Sequence, residues 1–273
     1  MSILNEKYVM YNGVSIPKIG FGTWQIPNDV AVKAVSDALK AGYRHIDTAL
    51  AYQNEEGVGK AIRESGLNRE DVFITSKLPA EIKGYDNALE SFNKTVKNLG
   101  VEVLDLYLIH APWPWTDKEG NYTAQNIESW KAFEKLYKEG RIRAIGVSNF
   151  SPSDIQALLE NCEIVPMANQ IAFHAGRTQE EYVSFCNKHN ILVEAYSPLA
   201  TGRALTDPLL NEIAASYAVS VAQLLIRFTL QRGTLPLPKT TNAGRMLENT
   251  KVDHFVISEQ DMARLNAIKS EYR

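Results

Sequence analysis

Eight short, nearly continuous apolar runs, each followed by an amphipathic helical pattern, constrain this chain most. The runs are Lys18–Trp24, Tyr43–Thr48, Val72–Leu78, Leu104–His110, Ile142–Ser148, Met167–Ile171, Leu192–Pro198 and Leu235–Pro238. Strands buried on both faces read this way, as in a parallel sheet covered by helices. Between them, Ala31, Ala34, Val35 and Ala38 follow i, i+3, i+4, i+7. Similar stripes run through Ala88, Leu89, Phe92, Val96 and Leu99, and through Ile127, Trp130, Phe133, Leu136 and Tyr137. Gly42, Gly100, Gly140 and Gly233 stand where helices should end, because glycine tolerates the positive φ found there. Ser151-Pro152-Ser153-Asp154 reads as a helix cap with Pro in the first turn. Asn12-Gly13, between Tyr8–Tyr11 and Val14–Ile16, reads as a hairpin turn. Two further helices are expected, one within Asp207–Tyr217 and one over Glu259–Ser270.

Eight such βα units predict a single α/β domain over residues 1–273. Its fold would be a (β/α)8 TIM barrel with an N-terminal β-hairpin and two extra helices. The competing doubly wound sheet needs a Gly-x-Gly-x-x-Gly turn. Gly20-Phe21-Gly22 continues as Thr23-Trp24-Gln25, without the third glycine. A net charge of -3 and a pI near 6.0, with no basic run, argue against nucleic acid as a partner. No stretch is apolar enough to span a bilayer, and Met1–Lys7 has no leader-like pattern. Cys162 and Cys186 lie in helical patterns and read as small core thiols of a cytoplasmic protein; the rival is one disulfide.

Functional groups of a barrel gather at the carboxyl ends of its strands. Asp47, Lys77 and His110 close three successive runs, and Tyr52 follows Asp47 by five residues. A tyrosine becomes a usable acid near neutral pH when a lysine ammonium stabilises its phenolate and lowers its pKa from about 10. A carboxylate beside the lysine keeps it charged, and a histidine can hydrogen-bond a carbonyl oxygen. Taken singly, these residues have bland readings. Asp47 could cap a helix, Tyr52 could be half-buried packing, and His110 could be a satisfied core histidine. Lys77 is harder to dismiss, because lysine is rarely buried unpaired. Tyr196 could be plain core, Gln170 a buried amide, and Arg245 with Glu248 a surface ion pair. His45, His174, His189 and His254 show no metal-ligand spacing, so no metal is assigned.

The chain resembles the aldo-keto reductase family. The likeness is carried by Gly22-Thr23-Trp24, Gly42-Tyr43-Arg44-His45-Ile46-Asp47-Thr48-Ala49, Tyr52-Gln53-Asn54-Glu55, and Gly146-Val147-Ser148-Asn149-Phe150. It continues through Asn169-Gln170, Tyr196-Ser197-Pro198-Leu199 and Pro238-Lys239-Thr240, with Arg245 and Glu248-Asn249 beyond. These fragments run in family order from about Tyr8 to the last helix. The likeness is greatest to compact bacterial members of the 2,5-diketo-gluconate reductase type.

The resemblance implies NADPH-dependent reduction of aldehydes, ketones or dicarbonyls to alcohols by hydride transfer. Asp47, Tyr52, Lys77 and His110 would be the catalytic set, with Tyr52 the proton donor, its pKa depressed by Lys77. Ser148, Asn149 and Gln170 would hold the nicotinamide carboxamide, Tyr196 would stack on its ring, and Thr23 and Asp47 would also contact the cofactor. Ser197, Leu199 and Thr201 would follow the pyrophosphate. Lys239, Thr240, Thr241 and Arg245 would surround the 2′-phosphate, with Glu248 and Asn249 at the adenine. Lysine and arginine there favour NADPH over NADH. Trp24, Tyr52, His110 and Trp113 would contact a small carbonyl substrate.

The chain departs from many relatives at Ala111, which replaces a tryptophan after the catalytic histidine; Trp113 and Trp115 are nearby, so the pocket wall is expected to be enlarged or reshaped. The segment from His110 to Asn126 is short, and few residues follow the last helix. An open site of broad specificity is therefore expected, in a monomer like the family's compact members.

Overall fold

The protein is seen in a computed structural model that describes residues 2–269 and 272. Met1 and Ser270, each at the edge of an expectation above, lie outside the described residues. A hairpin of β1 (Lys7–Val9) and β2 (Ser15–Pro17) comes first. Eight strands then form one parallel sheet in sequence order: β3 (Phe21–Gly22), β4 (His45–Asp47), β5 (Phe73–Leu78), β6 (Leu104–Ile109), β7 (Ile142–Ser148), β8 (Ala168–Ala172), β9 (Leu192–Tyr196) and β10 (Leu235–Leu237). Every residue of β5, β6 and β8 is buried, which is why these segments read as unbroken apolar runs.

The sheet curls until its edges meet. Gly20 N–H donates to Pro236 O at 3.0 Å and Gly22 N–H to Pro238 O at 3.1 Å. Pro236 and Pro238 have no N–H to return, so the seam carries hydrogen bonds in one direction. This is the physical reason that the expected strand Lys18–Trp24 shrinks to Phe21–Gly22.

Helices α1 (Asn28–Lys40), α2 (Glu55–Arg63), α3 (Tyr85–Leu99), α4 (Thr123–Lys138), α5 (Pro152–Leu159) and α6 (Glu180–Lys188) follow the first six barrel strands. α7 (Pro208–Ser216) and α8 (Val221–Gln231) follow β9, and α9 (Ala243–Asn249) and α10 (Glu259–Asn266) follow β10. α7 and α10 are the two extra helices. The expected apolar faces are the buried ones: Ala31, Ala34, Val35 and Ala38 on α1, and Ala88, Phe92, Val96 and Leu99 on α3. Ser151 and Asp154 form a capping box on α5. Gly42, Gly100, Gly140 and Gly233 all take positive φ. Both cysteines are free thiols. Among the described residues no single helix is long and apolar enough to cross a membrane.

The two ends of the barrel differ. Tyr11 Oη donates to Val165 O and Asn12 Nδ2 to Arg143 O, so the hairpin lies against the entries to β8 and β7. Asp105 ties the same end together: its carboxylate accepts from Arg69 Nη2 at 2.6 Å, Arg143 Nη1 at 2.6 Å and Ile74 N at 2.9 Å. These contacts gather at the amino end of the barrel and leave its carboxyl end free of them. Asp105→Ala would strand these donors and should lower unfolding stability by roughly 1–3 kcal/mol. Denaturant titration would check this.

Candidate active site

Asp47 ends β4, where its backbone carbonyl accepts from Thr23 N at 3.0 Å and Thr23 Oγ1 at 2.9 Å. Thr23 is fully buried, and its hydroxyl closes the strand end. Beyond Thr48 and Ala49 the chain makes one 3-10 turn over Leu50–Tyr52, then a left-handed residue at Gln53. Asn54 fixes this turn: its Oδ1 accepts from Thr48 Oγ1, and its Nδ2 donates to Thr23 O and Ile26 O. The turn swings Tyr52 back over the strand ends.

Lys77, on β5, is completely buried. Its Nζ donates to Asp47 Oδ1 at 2.8 Å, Asp47 Oδ2 at 2.9 Å and Thr48 O at 2.8 Å, and lies 3.4 Å from Tyr52 Oη. Burial works against the ammonium. The charge of Asp47, then Tyr52 and the hydrogen bonds, outweigh burial and hold the lysine pKa above its ordinary value. Tyr52 departs from expectation. Burial raises its pKa, and the attraction of Lys77, opposed by Asp47, does not reverse the rise. Tyr52 is therefore a neutral phenol at physiological pH rather than one with a depressed pKa.

His110 follows β6, and its ring meets Tyr52 edge-on at 5.6 Å. Burial, then Lys77 and Lys83, depress its pKa to about 3, so the imidazole is neutral. Ala111 is fully buried and only its carbonyl is engaged, accepting from Lys83 Nζ at 2.7 Å. Trp115, one of the two tryptophans near Ala111, stands edge-on to His110 at 5.8 Å, and Trp113 packs against it at 4.9 Å. Lys118 lies over both indoles. Trp24 is exposed on the loop after β3 and enters no ring contact with His110 or Tyr52.

The residues expected at a nicotinamide also converge. Ser148 Oγ donates to Gln170 O at 2.8 Å, and Asn149 Nδ2 donates to His110 O and Ser148 Oγ, both at 3.0 Å. Tyr196 Oη donates to Asn149 Oδ1 at 2.8 Å. Asn149 adopts φ 61°, a left-handed conformation that asparagine tolerates better than most residues. Gln170 Nε2 donates across the barrel to Asp47 Oδ2 at 2.8 Å and sideways to Glu194 Oε2 at 2.9 Å.

Farther out, Ser197, Ala200, Thr201 and Gly202 all have positive φ, bending the loop after β9 that also carries Leu199. Lys239, Thr241 and Arg245 are exposed, Thr240 and Glu248 half-buried, and Asn249 buried. The alternative Arg245–Glu248 ion pair does not form, and neither Lys239 nor Arg245 is in an ion pair among the described residues.

A parallel barrel that gathers a buried lysine–aspartate pair, a tyrosine and a neutral histidine at its carboxyl end is built as a barrel enzyme. The chain belongs to the aldo/keto reductase family, whose pattern matches residues 18–270. A glyoxal reductase of Bacillus subtilis is 43% identical over 271 residues, covering 99% of this chain and 95% of that protein. The crystal structure of an aldo/keto reductase from Brucella melitensis superposes with TM-score 0.91 and 43% identity, covering 96% of this chain and 97% of that one. A Bombyx mori aldo-keto reductase crystallised with NADP superposes with TM-score 0.90 and 34% identity, covering 98% and 94%. The protein is an oxidoreductase acting on carbonyl and alcohol groups.

The histidine pKa has a consequence for stability. With a folded pKa near 3, His110 stays neutral while the same residue in the unfolded chain protonates near 6.5. Between these values the unfolded state binds more protons, so stability falls on acidification by up to about 1.4 kcal/mol per pH unit for this group. His110→Asn should therefore gain stability relative to wild type as pH drops from 6.5 to 4, measured by urea unfolding at each pH.

Proposed function

We propose that this protein reduces small aldehydes, ketones or dicarbonyls to alcohols with NADPH, using Tyr52 as the proton donor. The observation that carries the reading is Lys77 Nζ, held by Asp47 and reaching Tyr52 Oη at 3.4 Å, with the His110 ring beside the same phenol. NADPH, when bound, supplies the hydride to the carbonyl carbon. A neutral Tyr52 holds the proton that the carbonyl oxygen needs. Lys77 lies close enough to stabilise the phenolate left behind, and Asp47 keeps Lys77 charged and in place. His110, as a neutral imidazole, can donate a hydrogen bond to the carbonyl oxygen without adding a competing cation. Placing donor and acid on one carbonyl supplies much of the rate gain, up to ~7–11 kcal/mol in well-oriented systems.

The donor set suits the dinucleotide. The amides of Asn149 and Gln170, with Ser148, match a carboxamide, and the Tyr196 ring offers a stacking face. Exposed Lys239 and Arg245, without carboxylate partners among the described residues, suit a 2′-phosphate, while Thr240 and Thr241 add hydroxyls and Glu248 and Asn249 suit the adenine. The named reductases among the relatives, and the NADP bound to the Bombyx mori protein, support the same reading. A Schiff-base role for Lys77 is disfavoured, because its amine stays protonated and its hydrogens are engaged.

Tyr52→Phe should reduce carbonyl turnover by about 10²–10⁴-fold while leaving NADPH binding intact. NADPH oxidation followed at 340 nm with a panel of aldehydes and dicarbonyls checks this, and near-wild-type turnover would remove Tyr52 as the acid. Lys239→Ala should weaken NADPH by roughly 10- to 100-fold, the loss of one charge-assisted hydrogen bond, and NADH far less. Equal weakening of both in fluorescence titrations would remove the 2′-phosphate role.

A further inference from the structure

Glu194 is a buried carboxylate near the proposed site that the chemistry leaves unused. It lies on β9, opposite Gln170 in the β8–β9 ladder, and is completely buried. Its Oε2 accepts from Gln170 Nε2 at 2.9 Å. Its Oε1 has no hydrogen-bond partner and stands 3.9 Å from Nε2 of the buried His45, which itself bonds Thr75 Oγ1. A buried carboxyl with an unpartnered oxygen weakens a fold, so folding alone gives no reason for glutamate here. The Gln170 bond gives one.

An amide has two hydrogens on nitrogen and one acceptor oxygen. Asp47 Oδ2 takes one hydrogen of Gln170 and Glu194 Oε2 takes the other. Turning the amide over would set its oxygen against the Asp47 carboxylate, so this orientation is locked. Only Gln170 Oε1 is left to meet a ligand, and it can only accept.

We propose that Glu194 is a positioning residue that, together with Asp47, locks the Gln170 amide so that its oxygen accepts from the carboxamide NH2 of the nicotinamide. The inference rests on the reading of Gln170 as a nicotinamide contact. It also makes the cofactor contact and the Lys77–Asp47 pair parts of one hydrogen-bonded chain, because Asp47 Oδ2 serves both Lys77 and Gln170. Burial, reinforced by the charge of Asp47, lifts the Glu194 carboxyl to about 7, whereas Lys77 and the Gln170 bond act the other way. His45, the remaining titratable neighbour, is held neutral with a pKa near 3 by burial and Lys77. Protonated or ionised, Glu194 keeps an oxygen able to accept from Gln170.

The test compares NADPH with its 3-acetylpyridine analogue, in which a methyl ketone replaces the carboxamide and the NH2 is gone. Dissociation constants come from fluorescence titration of the full-length protein, alongside KM for a carbonyl substrate and a thermal melt. Wild type should prefer NADPH over the analogue by about 5- to 10-fold, the contribution of one hydrogen bond. Glu194→Leu should bind NADPH more weakly by a similar factor and lose most of that preference, with the carbonyl KM within about twofold. Glu194→Gln, whose amide oxygen can still accept from Gln170, should retain the preference. A folded Glu194→Leu protein with wild-type discrimination overturns the proposal, as does loss of discrimination in Glu194→Gln equal to that in Glu194→Leu. Glu194→Ala takes the place of the leucine variant if the latter does not fold. Wild type that binds neither nucleotide refutes the NADPH reading itself, which separates the two failures.

Discussion

The buried pair of Lys77 and Asp47 is the constraint around which the upper barrel is arranged. A lysine with no solvent exposure loses its hydration, and the loss is tolerable only if protein oxygens replace the water. Both oxygens of Asp47 and the carbonyl of Thr48 do so, each within 3 Å. Meeting that demand fixes much else. Asp47 must end its strand pointing inward, Thr48 must turn its carbonyl toward β5, and Asn54 must hold the following turn. Tyr52 is then left with nowhere to go but over the ammonium, 4.9 Å from Nζ to ring centre.

The barrel divides its tasks between its ends. The hairpin and the Asp105 cluster occupy the amino end, where backbone carbonyls of the strand entries accept from Tyr11 and Asn12. The polar interior lies toward the other end, in a chain from Lys77 through Asp47 and Gln170 to Glu194. Gln170 on β8 and Asp47 on β4 come from strands four apart in an eight-stranded ring, so their hydrogen bond spans the lumen. Side chains of alternate strands share layers inside such barrels, which is how opposite strands come to touch.

The fold was largely legible because burial on both faces leaves a strong mark: β7 has the bounds that its apolar run suggested, and β5 and β6 differ from theirs by one residue at an end. The β3 edge was less so, since its pairing depends on which partner residues lack N–H groups, a property of the neighbour and not of the segment. The strand-end groups Asp47, Lys77 and His110 were legible because position along a strand decides which way they face. The pKa of Tyr52 was not, because burial and an adjacent cation oppose each other and their balance depends on packing. Glu194 was hidden for a related reason: one charged letter in the run Leu192–Pro198 gives no hint of an acceptor for an amide on the next strand. Trp115 was legible as a neighbour of Ala111, but its contact with His110 was not, because that depends on the path of an irregular segment.

That irregular segment has an evolutionary consequence. Trp113, Trp115 and Lys118 lie between β6 and α4, in a stretch with no regular structure of its own. Trp115 is tethered by its backbone N–H to Glu81 and by its ring to His110. Lys77, Asp47 and Gln170 sit on barrel strands and do not depend on the identity of these residues. Substitutions that accumulate in this stretch can therefore change what surrounds the His110 ring while the buried Lys77–Asp47–Gln170 network is inherited unchanged.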